Sequence, residues 1–230
     1  MPKLSGQSLV CDSSSLISLT DSCFVHVFYF LKRKFKGCFL IPDSVEYECV
    51  QHPMQMRMHA LHAVRLKRAI LDGAITLSPL SSRHDSNEIR WIANNIFYAS
   101  GTPLRLLHEG ESDMLALALE TGVSNLLVDE RTTRLLAEDP ETLRKHLELE
   151  LSRPITTNQE NLSAFSRLTK NMRFFRSSEL LLLAYEKGYF EDYKELEADA
   201  IEAALYRLKY AGCAVGMGEI EDYVEENIRG

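Results

Sequence analysis

Short apolar segments alternate with longer segments of helical character through most of the chain. Four of them are three or four residues long and end beside a turn or an acidic residue: 8–11, 38–41, 74–77 and 126–128. Residues 155–157 are predicted as a fifth strand. Strands that alternate with helices form a parallel sheet covered by helices on both faces. The pattern therefore predicts a three-layer α/β/α fold with a central parallel sheet, followed by a mainly helical C-terminal extension.

Helical segments connect the predicted strands. The periodicity predicts helices over 16–31, 59–72, 113–120 and 132–147, and one helix within 81–101. The helix over 59–72 is predicted to be amphipathic, with Leu61, Val64, Leu66 and Ile70 as its apolar residues. Three further helices are predicted over 158–169, 178–187 and 196–211.

Acidic residues stand at the ends of the predicted strands or in the helices that follow them. Asp12 and Asp129 follow the first and fourth strands. Glu48 lies in the helix after the second strand, and Glu111 and Asp113 open the helix before the fourth. Carboxylates gathered at one edge of a sheet repel one another unless a cation neutralises them. The arrangement therefore predicts a site for a hard divalent cation at the carboxyl edge of the sheet.

Each of these acids also has a structural explanation. Asp12 precedes three serines and is a good candidate for a helix N-cap. Glu48 is explained equally well as an exposed helical glutamate, and Glu111 and Asp113 as acids at the positive end of a helix dipole. Asp129 lies 18 residues after Glu111, a distance that corresponds to one helix, one turn and one strand. The metal-site hypothesis depends on this convergence at one edge rather than on acidity alone.

Composition and charge leave the class of partner open. The chain has 230 residues, enough for one domain with elaborations, and a net charge of −7. Residues 186–226 contain 12 acidic and 4 basic residues, so the rest of the chain is close to neutral. Basic clusters occur over 32–36 and at Arg57, Arg65, Lys67 and Arg68. A nucleic-acid partner is therefore compatible with the negative total charge.

Cysteine spacing and hydropathy indicate a cytoplasmic protein. The five cysteines are scattered, and no Cys-x-x-Cys spacing occurs. No apolar run approaches the ~18 residues that a membrane-spanning helix needs. The apolar stretch over 23–31 precedes its basic residues, whereas a signal peptide has the basic residues first.

Other kinds of catalytic site have less support in the sequence. His59 and His62 share a helix face and His52 lies nearby, but no carboxylate or cysteine is placed beside them. Surface or half-buried histidines are therefore favoured over a metal site. The serines at 13–15 lack a Gly-x-Ser-x-Gly elbow, and the chain has no glycine-rich phosphate loop.

Four acidic motifs follow one another in a fixed order. The sequence reads Val-Cys-Asp-Ser-Ser around Asp12, Pro-x-x-Val-x-x-Glu ending at Glu48, Gly-Glu-Ser-Asp around Glu111, and Leu-Leu-Val-Asp ending at Asp129. In this order they resemble the motifs of the PIN-domain nuclease superfamily. Ungapped spacing places the family's third acid on Glu111, and the Gly-Glu-x-Asp variant makes Asp113 an additional ligand. With this form of the third motif, the chain resembles one prokaryotic subgroup of the superfamily more closely than it resembles the short VapC-type toxins.

The resemblance implies a metal-dependent endoribonuclease that uses Mg²⁺ or Mn²⁺ to cleave single-stranded RNA. It implies that the cation is held by Asp12, Glu48, Glu111, Asp113 and Asp129. It also suggests supporting roles, in contact with the substrate or with a ligand, for Ser14, Glu130 and Arg134. The PIN-like domain is expected over 1–157, with 51–108 partly an insertion. The region over 158–230 is expected to be helical, and its first part is expected to pack on the PIN-like domain. A homodimer is expected from the resemblance alone.

Two alternatives to an active nuclease remain open. The first is a component of a toxin–antitoxin pair, or a regulatory protein, whose site is occluded by an inhibitory protein partner or by the acidic C-terminal helices. A solvated helical surface is the favoured explanation of that acidic stretch. The second alternative is a catalytically silent PIN-like scaffold that binds RNA or protein, against which five intact acids argue.

Overall fold

The structure is a computed structural model that describes residues 6–56 and 60–229. Its α-helices are α1 (Ser13–Asp21), α2 (His26–Lys34), α3 (Asp43–Glu46), α4 (His52–Met54), α5 (Ala60–Leu71), α6 (Arg83–Asn94), α7 (Glu109–Thr121), α8 (Arg131–Glu138), α9 (Pro140–Leu151), α10 (Gln159–Thr169), α11 (Ser177–Glu186), α12 (Glu197–Tyr210) and α13 (Met217–Asn227). Its strands are β1 (Leu9–Cys11), β2 (Phe39–Ile41), β3 (Ile75–Leu77), β4 (Phe97–Ala99), β5 (Thr102–Pro103), β6 (Asn125–Leu127), β7 (Ile155–Thr157) and β8 (Arg173–Phe175). A π-helix (Tyr47–Gln51) follows α3, and a 3₁₀-helix (Glu191–Leu196) precedes α12. The predicted features at Arg57 and His59 lie outside the described residues.

The central sheet has five parallel strands in the order β3-β2-β1-β6-β8. It confirms the predicted parallel sheet but corrects the identity of its fifth strand. Residues 155–157 form β7, which pairs antiparallel with β4 in a separate three-stranded sheet. The fifth parallel strand is β8, which the sequence did not reveal because it is short and begins with the charged Arg173.

Alternate strand residues face two different hydrophobic cores. Val10 of β1 and Leu126 of β6 belong to the core that includes residues of α6 to α10. Cys11 and Leu127 point the opposite way, into the core that includes residues of α1, α2, α5 and α11 to α13. Because successive side chains of a strand point to opposite faces, the sheet is buried on both sides. The three-layer α/β/α arrangement is therefore confirmed.

Two predicted long helices are each divided in two. The helix predicted over 16–31 consists of α1 and α2, which meet at an angle of 110°. Between them Cys23 has a φ of 65°, a conformation that a helix cannot continue through. The helix predicted over 132–147 consists of α8 and α9, because Pro140 lacks an N–H and starts α9 with Asp139 as its cap. Across the described part of the chain, no single helix is long and apolar enough to cross a membrane, and α1 and α2 satisfy that criterion only as a bent pair.

One further helix prediction is confirmed and another needs correction. The single helix predicted within 81–101 is α6, and the segment also contains β4, which the sequence did not predict. On α5 the sequence predicted an apolar face that includes Leu61 and Val64, but these side chains are 59% and 50% exposed. The buried residues of α5 are instead Ala63, Leu66 and Ala69. Of the predicted apolar residues, Leu66 is buried, and two alanines complete the buried face.

The C-terminal third adds helices to both faces of the sheet and a strand to its edge. Arg176, at the start of α11, is buried and forms ion pairs with Glu179 and with Glu219 of α13. Its guanidinium also donates a hydrogen bond to the Ala214 carbonyl at 3.1 Å. These contacts fasten the last helix to the sheet edge. The boundary at 157 and the insertion over 51–108 stay predictions.

Candidate active site

The two carboxylate oxygens of Asp12 have different surroundings. It follows β1 and caps α1, because its Oδ2 accepts hydrogen bonds from the backbone N–H of Ser14 at 3.1 Å and from the Ser14 hydroxyl at 2.6 Å. Its Oδ1 is buried and has no hydrogen-bond partner within residues 6–56 and 60–229. Burial raises the pKa of Asp12 to about 6, the Ser14 hydrogen bonds oppose that rise, and the charge of Glu48 adds to it. The cap explanation and the metal explanation therefore apply to different atoms of one side chain.

A π-helix carries Glu48. The helical segment after β2 begins as α3, with Val45 fully buried as its anchor, and then widens into the π-helix Tyr47–Gln51. The backbone N–H of His52 donates to the Tyr47 carbonyl, which is the i→i+5 bond of a π-turn. Such turns are rare and occur frequently at functional sites. The Glu48 side chain is exposed and lines an open cleft at this edge of the sheet.

Gly110 allows α7 to approach the carboxylates of Asp12 and Glu48. A Cβ atom at Gly110 would lie 3.2 Å from Glu48 Oε2 and 4.0 Å from Asp12 Oδ1. The absence of a side chain therefore leaves a space that both carboxylates border. Close approach of a backbone to other groups is one of the uses of glycine.

Glu111 adds a third carboxylate to this group. Its Oε2 accepts a hydrogen bond from the His108 backbone N–H at 2.9 Å, which holds the side chain at the start of α7. Burial raises the pKa of Glu111 to about 7, and the charge of Asp12 raises it further, while hydrogen bonds from backbone N–H groups oppose the rise. Asp12 is buried and Glu111 is half-buried. The charge of Asp12 disfavours the charged form of Glu111, and that of Glu48 disfavours the charged form of Asp12, a situation that a cation relieves.

Asp129 reaches the same sheet edge, but its carboxylate is bound by the start of α11. Asp129 Oδ1 accepts a hydrogen bond from the Ser177 backbone N–H at 2.6 Å, and Oδ2 accepts one from the Ser177 hydroxyl at 2.7 Å. The Asp129 carbonyl accepts a hydrogen bond from the backbone N–H of Ala214 at 3.3 Å. The fourth predicted acid is therefore held by residues from the C-terminal third of the chain.

Ser14 connects the ends of β1 and β6. Its hydroxyl donates to Asp12 Oδ2 and accepts hydrogen bonds from the backbone N–H groups of Asp129 at 3.1 Å and Glu130 at 3.3 Å. The hydroxyl thereby fixes the orientation of Asp12 relative to the neighbouring strand end. The contact with a bound ligand or with substrate that the sequence suggested for Ser14 stays a prediction.

Asp113 occupies a different position from the other acids. It is buried, and its carboxylate accepts a hydrogen bond from the Ser86 hydroxyl between α6 and α7. Residues two positions apart on a helix do not share a face, so Asp113 points away from the side on which Glu111 lies. The described contacts therefore do not bring Asp113 to the carboxylate group, and its role as an additional ligand stays a prediction.

Glu130 caps α8 and Arg134 lies on it, and neither residue lines the cleft. Glu130 Oε2 accepts a hydrogen bond from the Thr133 backbone N–H at 2.7 Å and so caps that helix. The Arg134 guanidinium acts electrostatically on Glu138 and on Glu219 of α13. Contact of Arg134 with substrate or with Asp129 stays a prediction.

The cleft beside Glu48 and Glu111 has a volume of about 790 Å³. Its remaining lining residues are Asp43, Ser44, Tyr47, Gln51, His52, Arg83, Arg105, His108, Glu109 and Gly110. Apart from His52, which was considered only with the other histidines, the sequence did not single out its basic and aromatic members as parts of a site. Arg83 and Arg105 fall in the segment interpreted as an insertion. The only indication in the sequence that Tyr47 belongs to the site is its position beside Glu48. Among the described residues, none from the acidic C-terminal helices lines this cleft.

The donors at this edge suit a hard divalent cation in their chemistry. All are carboxylate oxygens, which Mg²⁺ and related cations prefer, and Asp12 Oδ1 is a buried oxygen without a partner. Within the described ranges, no three His, Cys, Asp or Glu side chains already stand close enough together to hold a metal ion. Binding would therefore require side chains to turn toward Asp12, for which the exposed Glu48 has the freedom.

A family model described as a PIN domain matches residues 8–142, which is more than half of the chain. The match includes all five predicted acids and ends before β8, so Ser177 lies beyond it. PIN domains are generally nucleases, and they usually use divalent metal ions. No match was found among curated proteins, and none among solved structures.

Proposed function

This chain belongs to the PIN-domain family, and we propose that it is a metal-dependent endoribonuclease that cleaves RNA phosphodiester bonds. The observation that carries the proposal is the buried, unpartnered Oδ1 of Asp12, with Glu48 and Glu111 beside it at the mouth of an open cleft. A buried acidic group without donors is costly unless it is protonated or paired with a cation. If Asp12 acted only as a helix cap, Oδ2 alone would be sufficient.

Asp12, Glu48 and Glu111 are the proposed ligands of Mg²⁺ or Mn²⁺. Asp129 is proposed to contribute from the neighbouring strand end, and Asp113 is the least favoured because its carboxylate is bound by Ser86. When bound, the cation would lower the pKa of a water molecule and stabilise charge on the leaving oxygen of a phosphodiester.

Residues of the chain itself are proposed to orient the carboxylates and the substrate. The Ser14 hydroxyl holds Asp12 Oδ2, which leaves Oδ1 directed at the ligand position. Arg83 and Arg105 line the cleft and supply positive charge for the phosphate backbone. Phosphate contacts of this kind position a strand without reading its sequence.

Single-stranded RNA is the proposed substrate, in agreement with the resemblance of the acidic motifs. The cleft, of about 790 Å³, is recessed between the π-helix and the start of α7. A flexible single strand can bend to place one phosphodiester in such a recess, whereas a duplex is stiff and keeps its bases stacked.

The Asp12→Asn variant tests the proposal because Asn is as good an N-cap as Asp. The fold should therefore be retained, and Mn²⁺-dependent cleavage of a labelled single-stranded RNA should fall by ~100-fold or more. Asp139→Asn is the matched control, because Asp139 caps α9 through the Thr142 backbone N–H and lies outside the cleft. Undiminished cleavage by a correctly folded Asp12→Asn protein would contradict the proposed mechanism.

A catalytically silent scaffold is the second candidate, because no three His, Cys, Asp or Glu side chains among the described residues already form a ligand group. A toxin–antitoxin component inhibited by a partner would still bind the cation, so that alternative stays a prediction. Calorimetric titration with Mn²⁺ distinguishes the candidates: binding that Asp12→Asn abolishes supports the nuclease, and no binding by the wild-type protein supports the scaffold. A homodimer and an inhibitory protein partner stay predictions.

A further inference from the structure

Tyr47 and His52 form a stacked pair on the wall of the cleft. Their ring centroids are 6.2 Å apart and their planes differ by 29°. In an α-helix, side chains five residues apart point in directions that differ by about 140°, so they do not meet. The π-turn that joins the Tyr47 carbonyl to the His52 N–H brings the two rings onto the same side.

Burial does not explain why the chain adopts this geometry. Tyr47 is 53% exposed, and the His52 side chain is also exposed. The buried residues of the π-helix are instead Cys49 and Val50. The pair therefore presents aromatic surface to the cleft, directly beside Glu48.

We propose that Tyr47 and His52 form a base-stacking subsite, which holds an unpaired nucleobase of the substrate next to the carboxylates. The inference rests on the proposed function and specifies it, because it requires a substrate whose bases are free to leave their own stack. Aromatic side chains bind exposed bases of single-stranded nucleic acids in this way with little regard to sequence.

Arg105 supplies the matching contact for the phosphate backbone. It is exposed and lines the same cleft, and across residues 6–56 and 60–229 it forms no ion pair or hydrogen bond. Arg83, by contrast, is already paired with Glu109. An aromatic surface for the base and an unpaired cation for the phosphate are the two elements that single-strand binding sites combine. Bases within a duplex are stacked on each other and cannot use the aromatic surface.

The test measures binding rather than cleavage. In the Asp12→Asn background, a short single-stranded RNA that contains the fluorescent base 2-aminopurine should bind with quenched fluorescence. Tyr47→Ala should weaken that binding by roughly 10-fold or more and remove the quenching. Tyr47→Phe should restore both, because it keeps the ring. Tyr210→Ala is the matched control, since Tyr210 is an exposed tyrosine on α12 outside the cleft.

An RNA with an abasic nucleotide provides an independent comparison. The Asp12→Asn parent should lose affinity for it relative to the intact strand, whereas the same protein with Tyr47→Ala should bind both equally. Equal binding of intact RNA by the parent and the correctly folded Tyr47→Ala protein would overturn the inference.

The outcomes separate this inference from the proposed function. If cleavage requires Asp12 but the KM for RNA is unchanged in Tyr47→Ala, the subsite is overturned and the proposed nuclease activity is retained. Tyr47-dependent quenching in a protein that does not cleave RNA would support the subsite and contradict the proposed catalysis.

Discussion

The Asp129 carboxylate accepts two hydrogen bonds from Ser177, one from its backbone N–H at 2.6 Å and one from its hydroxyl at 2.7 Å. Ser177 is the first residue of α11, so the carboxylate also lies at the positive end of a helix dipole. Both residues are buried. An acid at the carboxyl edge of the sheet is thus oriented by a segment that follows the family match over 8–142.

Replacement of Ser177 by Ala should lower the free energy of unfolding by about 1.5–3 kcal/mol, the typical value for a hydrogen bond to a charged group. The methyl group cannot donate, so Asp129 Oδ2 loses a buried partner. Ser178→Ala is the matched control, because Ser178 is also buried but receives only a long contact of 3.7 Å from the Cys213 thiol. Urea unfolding measures both variants. Equal losses of unfolding free energy in the two variants would show that the hydrogen bond to Asp129 makes no specific contribution to stability.

The metal-free protein should become less stable as the pH rises from about 4 to above 7. The pKa of Asp12 is raised from 3.8 to about 6, and that of Glu111 from 4.5 to about 7, in each case chiefly by burial. The folded state therefore holds these protons more tightly than the unfolded chain does. The resulting stability is fully present below the unfolded pKa values and is lost as the pH rises through the folded ones.

Asp12→Asn should remove part of this pH dependence, because Asn does not titrate. In EDTA at pH 8 the variant should be more stable than the wild type, by a difference on the order of 2–3 kcal/mol. Mn²⁺ should stabilise the wild type at pH 8 and have little effect on the variant. Urea unfolding at pH 5 and pH 8 provides the measurement. A wild-type protein that gains stability between these pH values in EDTA would contradict the raised pKa values.

The order of the acidic motifs made the sheet edge predictable from sequence. Asp12 and Asp129 directly follow apolar strands, and the parallel arrangement of those strands dictates that their ends meet. The orientation of the Asp129 carboxylate was not predictable in the same way. It depends on Ser177, 48 residues further along the chain, and on the short strand β8 that places it there.

Local periodicity also failed where the backbone departs from ordinary helix geometry. A π-turn adds a residue to one helical turn, so the pairing of Tyr47 with His52 does not follow from the 3.6-residue repeat. At Cys23 a positive φ ends α1, although the surrounding residues have helical character. Neither feature has a signal in the local sequence pattern from which it could have been predicted.

Gly110→Ala should separate stability from metal binding. Ala is favoured over Gly in a helix by up to about 1 kcal/mol, so the free energy of unfolding should stay the same or rise slightly. The new methyl group would lie 3.2 Å from Glu48 Oε2 and 4.0 Å from Asp12 Oδ1, in the space that the two carboxylates border. Mn²⁺ affinity, measured by calorimetry, should therefore fall by about 10-fold or more, with a parallel loss of RNA cleavage.

Gly218→Ala is the matched control, because Gly218 is also the second residue of a helix and its Cβ would meet nothing within 4 Å. If Gly110→Ala binds Mn²⁺ as tightly as Gly218→Ala does, the cation does not occupy the space beside Gly110, and the ligand set must be sought elsewhere along the sheet edge.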